Sequence, residues 1–195
     1  MDFTIYRVSD APADGRPTLE RIQKKYGFVP NLMGILAESP AALDTYVSTA
    51  SAFDRADLSP VERQVVLLAV SLENGCPYCV AAQSTAARMA GAPDDVLDAL
   101  RQGVSLPDPR LEALRRFTRA VVRERGWVTA DEVEAFVHSG FSKRHVLDVL
   151  TGVALKTLSN YTNHLAGTPV DDVFRPFDPS EYASEFAVEQ PCCTA

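Results

Sequence analysis

Apolar residues along the chain recur at helical spacing in stretches separated by proline and glycine, and no run of alternating β-branched residues marks a strand. The opening to about residue 38 reads as loop-rich, with a short helix expected over 18–26. Ser39 and Pro40 read as a cap followed by a first-position proline, starting a helix to about residue 53. Ser59-Pro60-Val61-Glu62 is a stronger start, because the Ser59 hydroxyl suits the Glu62 N–H while the Glu62 carboxylate reaches back. Val61, Val65, Leu68, Ala69 and Leu72 then keep helical spacing up to Gly75. Pro77 opens an alanine-rich helix closed by Gly91, and a short one follows Pro93. Asp108-Pro109 begins an amphipathic stretch to about 125, and Thr129 another to 137. The longest element is expected over 143–165, where Val146, Leu147, Leu150, Val153, Ala154, Leu158 and Tyr161 form a wide apolar band suited to the centre of the core. After Pro169 the chain turns loop-like, with one late start signal at Asp178-Pro179-Ser180-Glu181, and 180–195 is expected to be a mobile tail. The fold class predicted is all-α, in one domain spanning 1–195.

Composition changes this picture little. With 46% hydrophobic and 23% charged residues, a chain of 195 residues has enough apolar surface for one core and lacks the signature of disorder. The formal charge of −7 and the absence of a basic stripe argue against nucleic acid as a partner. The N-terminus carries no basic region followed by an apolar run, and no window is long and apolar enough to span a membrane. A cytoplasmic protein without a membrane partner is expected. The band over 143–165 exceeds what a small monomer needs to cover, which predicts a homo-oligomer.

The candidate chemistry lies in Glu73-Asn74-Gly75-Cys76-Pro77-Tyr78-Cys79. Four cysteines are too few for a disulfide scaffold, but Cys76-x-x-Cys79 is a spacing used in redox and metal sites. With Gly75 closing one helix and Pro77 first in the next, Cys76 falls at the cap and Cys79 in the first turn. The unpaired N–H groups and positive dipole end there favour a thiolate at Cys79. Gln83, at i+4 from Cys79, shares its helix face, and Glu73 is placed to reach the same pocket from the preceding helix. Zinc is the main competing use of such a pair, yet no second Cys-x-x-Cys or His pair supplies the remaining ligands, so no metal is expected. His138, His145 and His164 are scattered. Cys192 and Cys193 suit thiol exchange or a soft ion only if the tail folds back.

These residues resemble the AhpD-like, or carboxymuconolactone decarboxylase, superfamily in its peroxidase-related, alkylhydroperoxidase branch. The likeness covers most of the chain. It is strongest from Leu58-Ser59-Pro60-Val61-Glu62-Arg63 to Cys76-Pro77-Tyr78-Cys79, and again over Gly152 to His164. It implies an oligomeric AhpD-like multi-helix bundle, a trimer or hexamer. It also implies cofactor-free reduction of a small-molecule hydroperoxide, with an external thiol or dithiol as reductant. In that scheme Cys79 attacks the peroxide and Cys76 closes the disulfide, whereas thioredoxin-like usage would begin at Cys76. The family histidine four residues after the second cysteine is Gln83 here, and a carboxamide cannot take a proton. The glutamate found in one branch twelve residues before the first cysteine is Gln64. Gln64 and Glu73 fall on opposite sides of one helix, so one of them at most should face the pocket. Tyr78 stands where some relatives have histidine. Tyr78, Gln64 and His164 are expected to support the site or bind substrate. The competing class is a non-enzymatic redox-sensing or soft-metal-binding module with a degenerate site.

Overall fold

Ser59 and Pro60 open the helix around which the others assemble. In the computed structural model, which describes residues 2–182, this is α4 (Pro60–Glu73), preceded by α1 (Arg16–Tyr26), α2 (Asn31–Leu36) and α3 (Pro40–Phe53). It is followed by α5 (Pro77–Met89), α6 (Asp94–Arg101), α7 (Pro109–Arg123), α8 (Ala130–His138) and α9 (Lys143–Ala166), then 3₁₀ turns at Asp172–Phe177 and Pro179–Tyr182. No strand occurs among the described residues, as the all-α prediction requires. Cys192, Cys193 and most of the expected tail lie outside them.

The capping box at α4 forms as the sequence predicts. The Glu62 N–H donates to Ser59 Oγ at 3.2 Å and the Ser59 N–H to Glu62 Oε2 at 2.7 Å. Burial pushes the Glu62 carboxyl up, but the Ser59 N–H and the Arg110 guanidinium outweigh it and hold it below its ordinary value. Val65 to Ser71 are buried without a break, so α4 is apolar around most of its circumference, with α5, α7 and α9 packed on it. Beside it Phe136 stacks between Phe117 and Phe141, tying α8 to α7 and to the start of α9.

Two expectations need correction. The first concerns the apolar band of α9, which faces the core only in part: Val146, Val153 and Leu158 pack half-buried against it, whereas Leu147, Leu150 and Tyr161 are 64%, 41% and 55% exposed. The buried side of α9 is Val149, Gly152, Leu155, Lys156, Ser159, Asn160 and Asn163, most of it polar. Gly152 explains how that side packs, since a Cβ there would lie 2.7 Å from Val66 Cγ1 and 3.0 Å from Phe53 Cε2. The helix therefore approaches α3 and α4 through a residue without a side chain. The second correction is α2, inside the segment read as loop-rich. All six of its residues are buried, so it has no polar face to give a period, and no side chain caps it. Its sequence reads as a short apolar run.

Among the described residues no helix is long and apolar enough to cross a membrane, and no group of three His, Cys, Asp or Glu side chains is placed to hold a metal.

Candidate functional site

Gly75 adopts a left-handed φ of 61°, which ends α4 and turns the chain so that the Cys76 N–H still donates back to Ser71 O at 3.0 Å. Cys76 thereby becomes the N-cap of α5, Pro77 takes the first helical position, and Cys79 falls in the first turn. Both thiols are reduced and almost fully buried, at 0% and 1% exposure. One amide spans them: Asn163 Nδ2 on α9 lies 3.2 Å from Cys79 Sγ and 3.8 Å from Cys76 Sγ. Ser159 Oγ, one turn earlier on α9, is 3.7 Å from Cys79 Sγ.

The two sulfurs divide one proton unequally. Cys76 is pushed well above the ordinary thiol range, first because its S–H donates to Cys79 and then by burial and the Cys79 charge. Burial pushes Cys79 up as well. The Cys76 hydrogen bond, the Lys156 charge and the Ser159 and Lys156 hydrogen bonds outweigh it and hold Cys79 well below its ordinary value. A thiolate beside a protonated partner thiol is the reactive form of such a pair.

Cys79 forms part of the wall of a pocket of about 600 Å³. Leu32, Met33, Tyr46, Ala82 and Phe174 make that wall mainly apolar and aromatic, and Tyr26, Met89 and Val173, also lining it, are solvent-exposed. Lys156 is the charged side chain on the wall, itself 1% exposed. The Tyr46 phenol is held in its neutral form, by burial first and then by the Cys79 charge. Tyr78 anchors one side. Its hydroxyl donates to Asp171 Oδ2 at 2.6 Å and accepts the Leu32 N–H at 3.3 Å, while Asp171 also accepts the Asn31 N–H. Burial and the Asp171 hydrogen bond push the Tyr78 phenol up, so it too stays neutral. One side chain thus joins the start of α5 to α2 and the segment after α9.

Of the residues singled out in the sequence, Cys79, Tyr78 and Gln83 line this pocket, and Cys76 lies behind them, sharing the Asn163 amide with Cys79. Glu73 does not line it. Its carboxylate accepts Arg119 Nε at 2.8 Å and also Arg123 Nε, so it faces α7. Gln64 is half-buried on α4, outside the pocket lining, and its Oε1 has no hydrogen-bond partner among the described residues. His164 is exposed on the outer side of α9, with its ring 6.3 Å from that of Tyr161. His145 is structural: its Nδ1 accepts the Ser142 N–H at 2.9 Å and its Nε2 meets Asp57 O at 2.7 Å. Sequence reasoning missed Lys156, Ser159 and Asn163 as site residues. Their signal is a set of polar positions on one face of the 143–165 stretch, which ordinarily marks a solvated face.

Comparison with known proteins places this geometry. The Carboxymuconolactone decarboxylase family model matches residues 38–120. A peroxidase-related protein from Ralstonia eutropha JMP134, described as an alkylhydroperoxidase AhpD core, is 26% identical with a TM-score of 0.77, over 88% of this chain and 93% of that one. A peroxidase-related protein from Silicibacter sp. TM1040 is 19% identical with a TM-score of 0.75, over 89% and 95%. The debrominase Bmp8, as a cysteine-to-alanine variant with 2,3,4-tribromopyrrole, is 16% identical with a TM-score of 0.76, over 91% and 95%. No curated protein matches the chain in sequence. The helical fold anticipated from the sequence is borne out, and a peroxidase-type role is supported at the level of the family.

Proposed function

We propose that the chain, whose residues 38–120 match the Carboxymuconolactone decarboxylase family model and whose helical fold is similar to that of an alkylhydroperoxidase AhpD core, is a thiol-dependent peroxidase and disulfide oxidoreductase, reducing organic hydroperoxides through the Cys76–Cys79 dithiol. The observation that carries this reading is a pair of cysteine sulfurs within reach of one Asn163 amide, with Cys79 on the wall of an apolar pocket. The reading takes 1–195 as a single AhpD-like helical domain.

The Cys79 thiolate attacks the outer peroxide oxygen. The O–O bond breaks, an S–O bond forms, sulfur is oxidised to sulfenic acid, and the alkoxide leaves to become an alcohol. Cys76 then attacks the Cys79 sulfur, forming the S–S bond and releasing water. An external thiol or dithiol restores the pair by exchange. Two supports favour Cys79 as the attacking sulfur: it is the ionised member, and it lines the pocket whereas Cys76 does not. The apolar and aromatic wall suits an organic hydroperoxide better than hydrogen peroxide, since it offers few partners for a small polar molecule. Gln83, on the same wall, is suited to orient the substrate but not to move a proton.

A reduced sample treated with one equivalent of cumene hydroperoxide is expected to lose two hydrogens, with mass spectrometry placing the bond between Cys76 and Cys79. Cys76→Ser should instead stop at sulfenic acid on Cys79. If both wild-type cysteines stay free after the oxidant, the oxidoreductase reading is wrong. The burial of both sulfurs favours one second reading, a redox-sensing module that is oxidised once. Sustained turnover with a dithiol separates the two. A brominated pyrrole belongs in the same substrate panel, because the aromatic wall suits a planar ring and the debrominase shares the fold.

A further inference from the structure

A lysine with almost no solvent exposure needs a counter-charge to stay ionised, because an isolated ammonium in an apolar interior is strongly disfavoured. Lys156 is 1% exposed and forms no ion pair with a carboxylate among the described residues. It lies one turn before Ser159 and two before Asn163, on the α9 side that places those residues 3.7 and 3.2 Å from Cys79 Sγ. It also shares the pocket wall with Cys79. Around Cys79 the Cys76 thiol and the phenols of Tyr46 and Tyr78 are neutral, and the Asp171 carboxylate is engaged by the Tyr78 hydroxyl and the Asn31 N–H. It is Cys79 that the Lys156 charge holds toward its anion. The anion beside Lys156 is therefore the Cys79 thiolate. The peroxidase cycle also has an unfilled role. The departing alkoxide needs a proton beside a sulfur that is itself 1% exposed, and Gln83, at the family's histidine position, cannot supply one.

We propose that Lys156 is a catalytic proton shuttle of this site: its ammonium protonates the alkoxide leaving the peroxide, and the resulting amine accepts the thiol proton of Cys76 for disulfide closure. The proposal rests on the peroxidase reading and deepens it. In the first step the Cys79 thiolate takes the outer OH of the hydroperoxide, the O–O electron pair leaves with the alkoxide, and the alkoxide takes a proton from Lys156. In the second, the amine takes the Cys76 proton, the Cys76 sulfur displaces hydroxide from Cys79, and that hydroxide leaves as water with the same proton. The products are an alcohol, water, a disulfide and a neutral lysine. An uncharged Lys156 then has no need of an anion once the thiolate is consumed. Reduction by a dithiol returns two hydrogens and regenerates the ion pair.

The test compares two oxidants whose leaving groups differ. Cumene hydroperoxide expels a strongly basic alkoxide that benefits from a proton donor, whereas peracetic acid expels a carboxylate that needs none. Single-turnover oxidation of Lys156→Met is expected to slow with both, because the thiolate loses its counter-charge. The additional loss with cumene hydroperoxide should be about 100-fold or more, the scale of general acid catalysis. Equal losses with both oxidants, or no loss with either, would overturn the shuttle and leave the peroxidase reading intact. Wild-type protein that reacts with neither peroxide would remove both. Should Lys156→Met fail to fold, wild-type protein carries the test across peroxides of graded leaving-group basicity. A nearly flat dependence supports the donor and a steep one overturns it.

Discussion

Asn163 reaches both sulfurs of the pair with one amide group, closest at 3.2 Å from Cys79. A donor to an anionic sulfur stabilises the thiolate by about 1.5–3 kcal/mol, and one pH unit corresponds to about 1.4 kcal/mol. Asn163→Ala is therefore expected to raise the Cys79 titration by roughly one pH unit or more. The sign follows from the charge: removing a donor to the thiolate favours the thiol. Reaction with hydroperoxide should then fall on the acid side of the new midpoint and be unchanged well above it. Ultraviolet thiolate absorbance against pH measures the shift, and an unmoved midpoint would mean that the amide does not act on the anion. At this scale the sequence located the two cysteines through Gly75 and Pro77, because turn and cap chemistry is local. It could not show that Lys156, Ser159 and Asn163 complete the site, because contacts across about 80 positions depend on how α9 lies against α5.

At the scale of elements, the starts of α3, α4, α5, α7 and α8 coincide with the Ser, Pro, Asp and Thr signals that predict them, because the caps of α3, α4, α7 and α8 are satisfied within a few residues and Pro77 lacks the N–H that the first position of α5 would leave unpaired. Orientation is another matter. The apolar and polar positions of α9 are plain in its sequence, yet Lys156, Ser159, Asn160 and Asn163 are turned inward with Val149 and Leu155, around Gly152, while Leu147, Leu150 and Tyr161 are left outside. Filling that contact should separate α9 from α4. Gly152→Ala places a methyl 2.7 Å from Val66 Cγ1, and overpacking of this kind typically costs about 1–3 kcal/mol. Urea unfolding followed by circular dichroism is expected to show a lower midpoint, offset in part by the better helix propensity of alanine. A variant as stable as wild type would mean that the neighbouring Val66 and Phe53 side chains yield freely.

For the molecule as a whole, Leu147, Leu150, Tyr161 and Leu165 leave an apolar stripe exposed along the outer side of α9. A homo-oligomer, the trimer or hexamer that the family resemblance implies, is expected to cover this stripe with other copies of the chain. Light scattering should give a multiple of 21.2 kDa, and charged substitutions at Leu147 and Leu165 together should shift the mass toward one chain. A monomeric mass for wild type would count against the assembly. The same stripe separates what the sequence determined from what the tertiary structure decided. Periodicity, caps and the Cys76–Cys79 spacing determined the helical class and the place of the cysteine pair, because those signals arise within a turn or two of chain. Which face of each helix is buried, whether Glu73 meets the pocket or Arg119, and which lysine shares the pocket wall with Cys79 were decided by packing. Burial is a property of the assembled core, and a polar residue in the sequence carries no mark of whether water or a sulfur will be its partner.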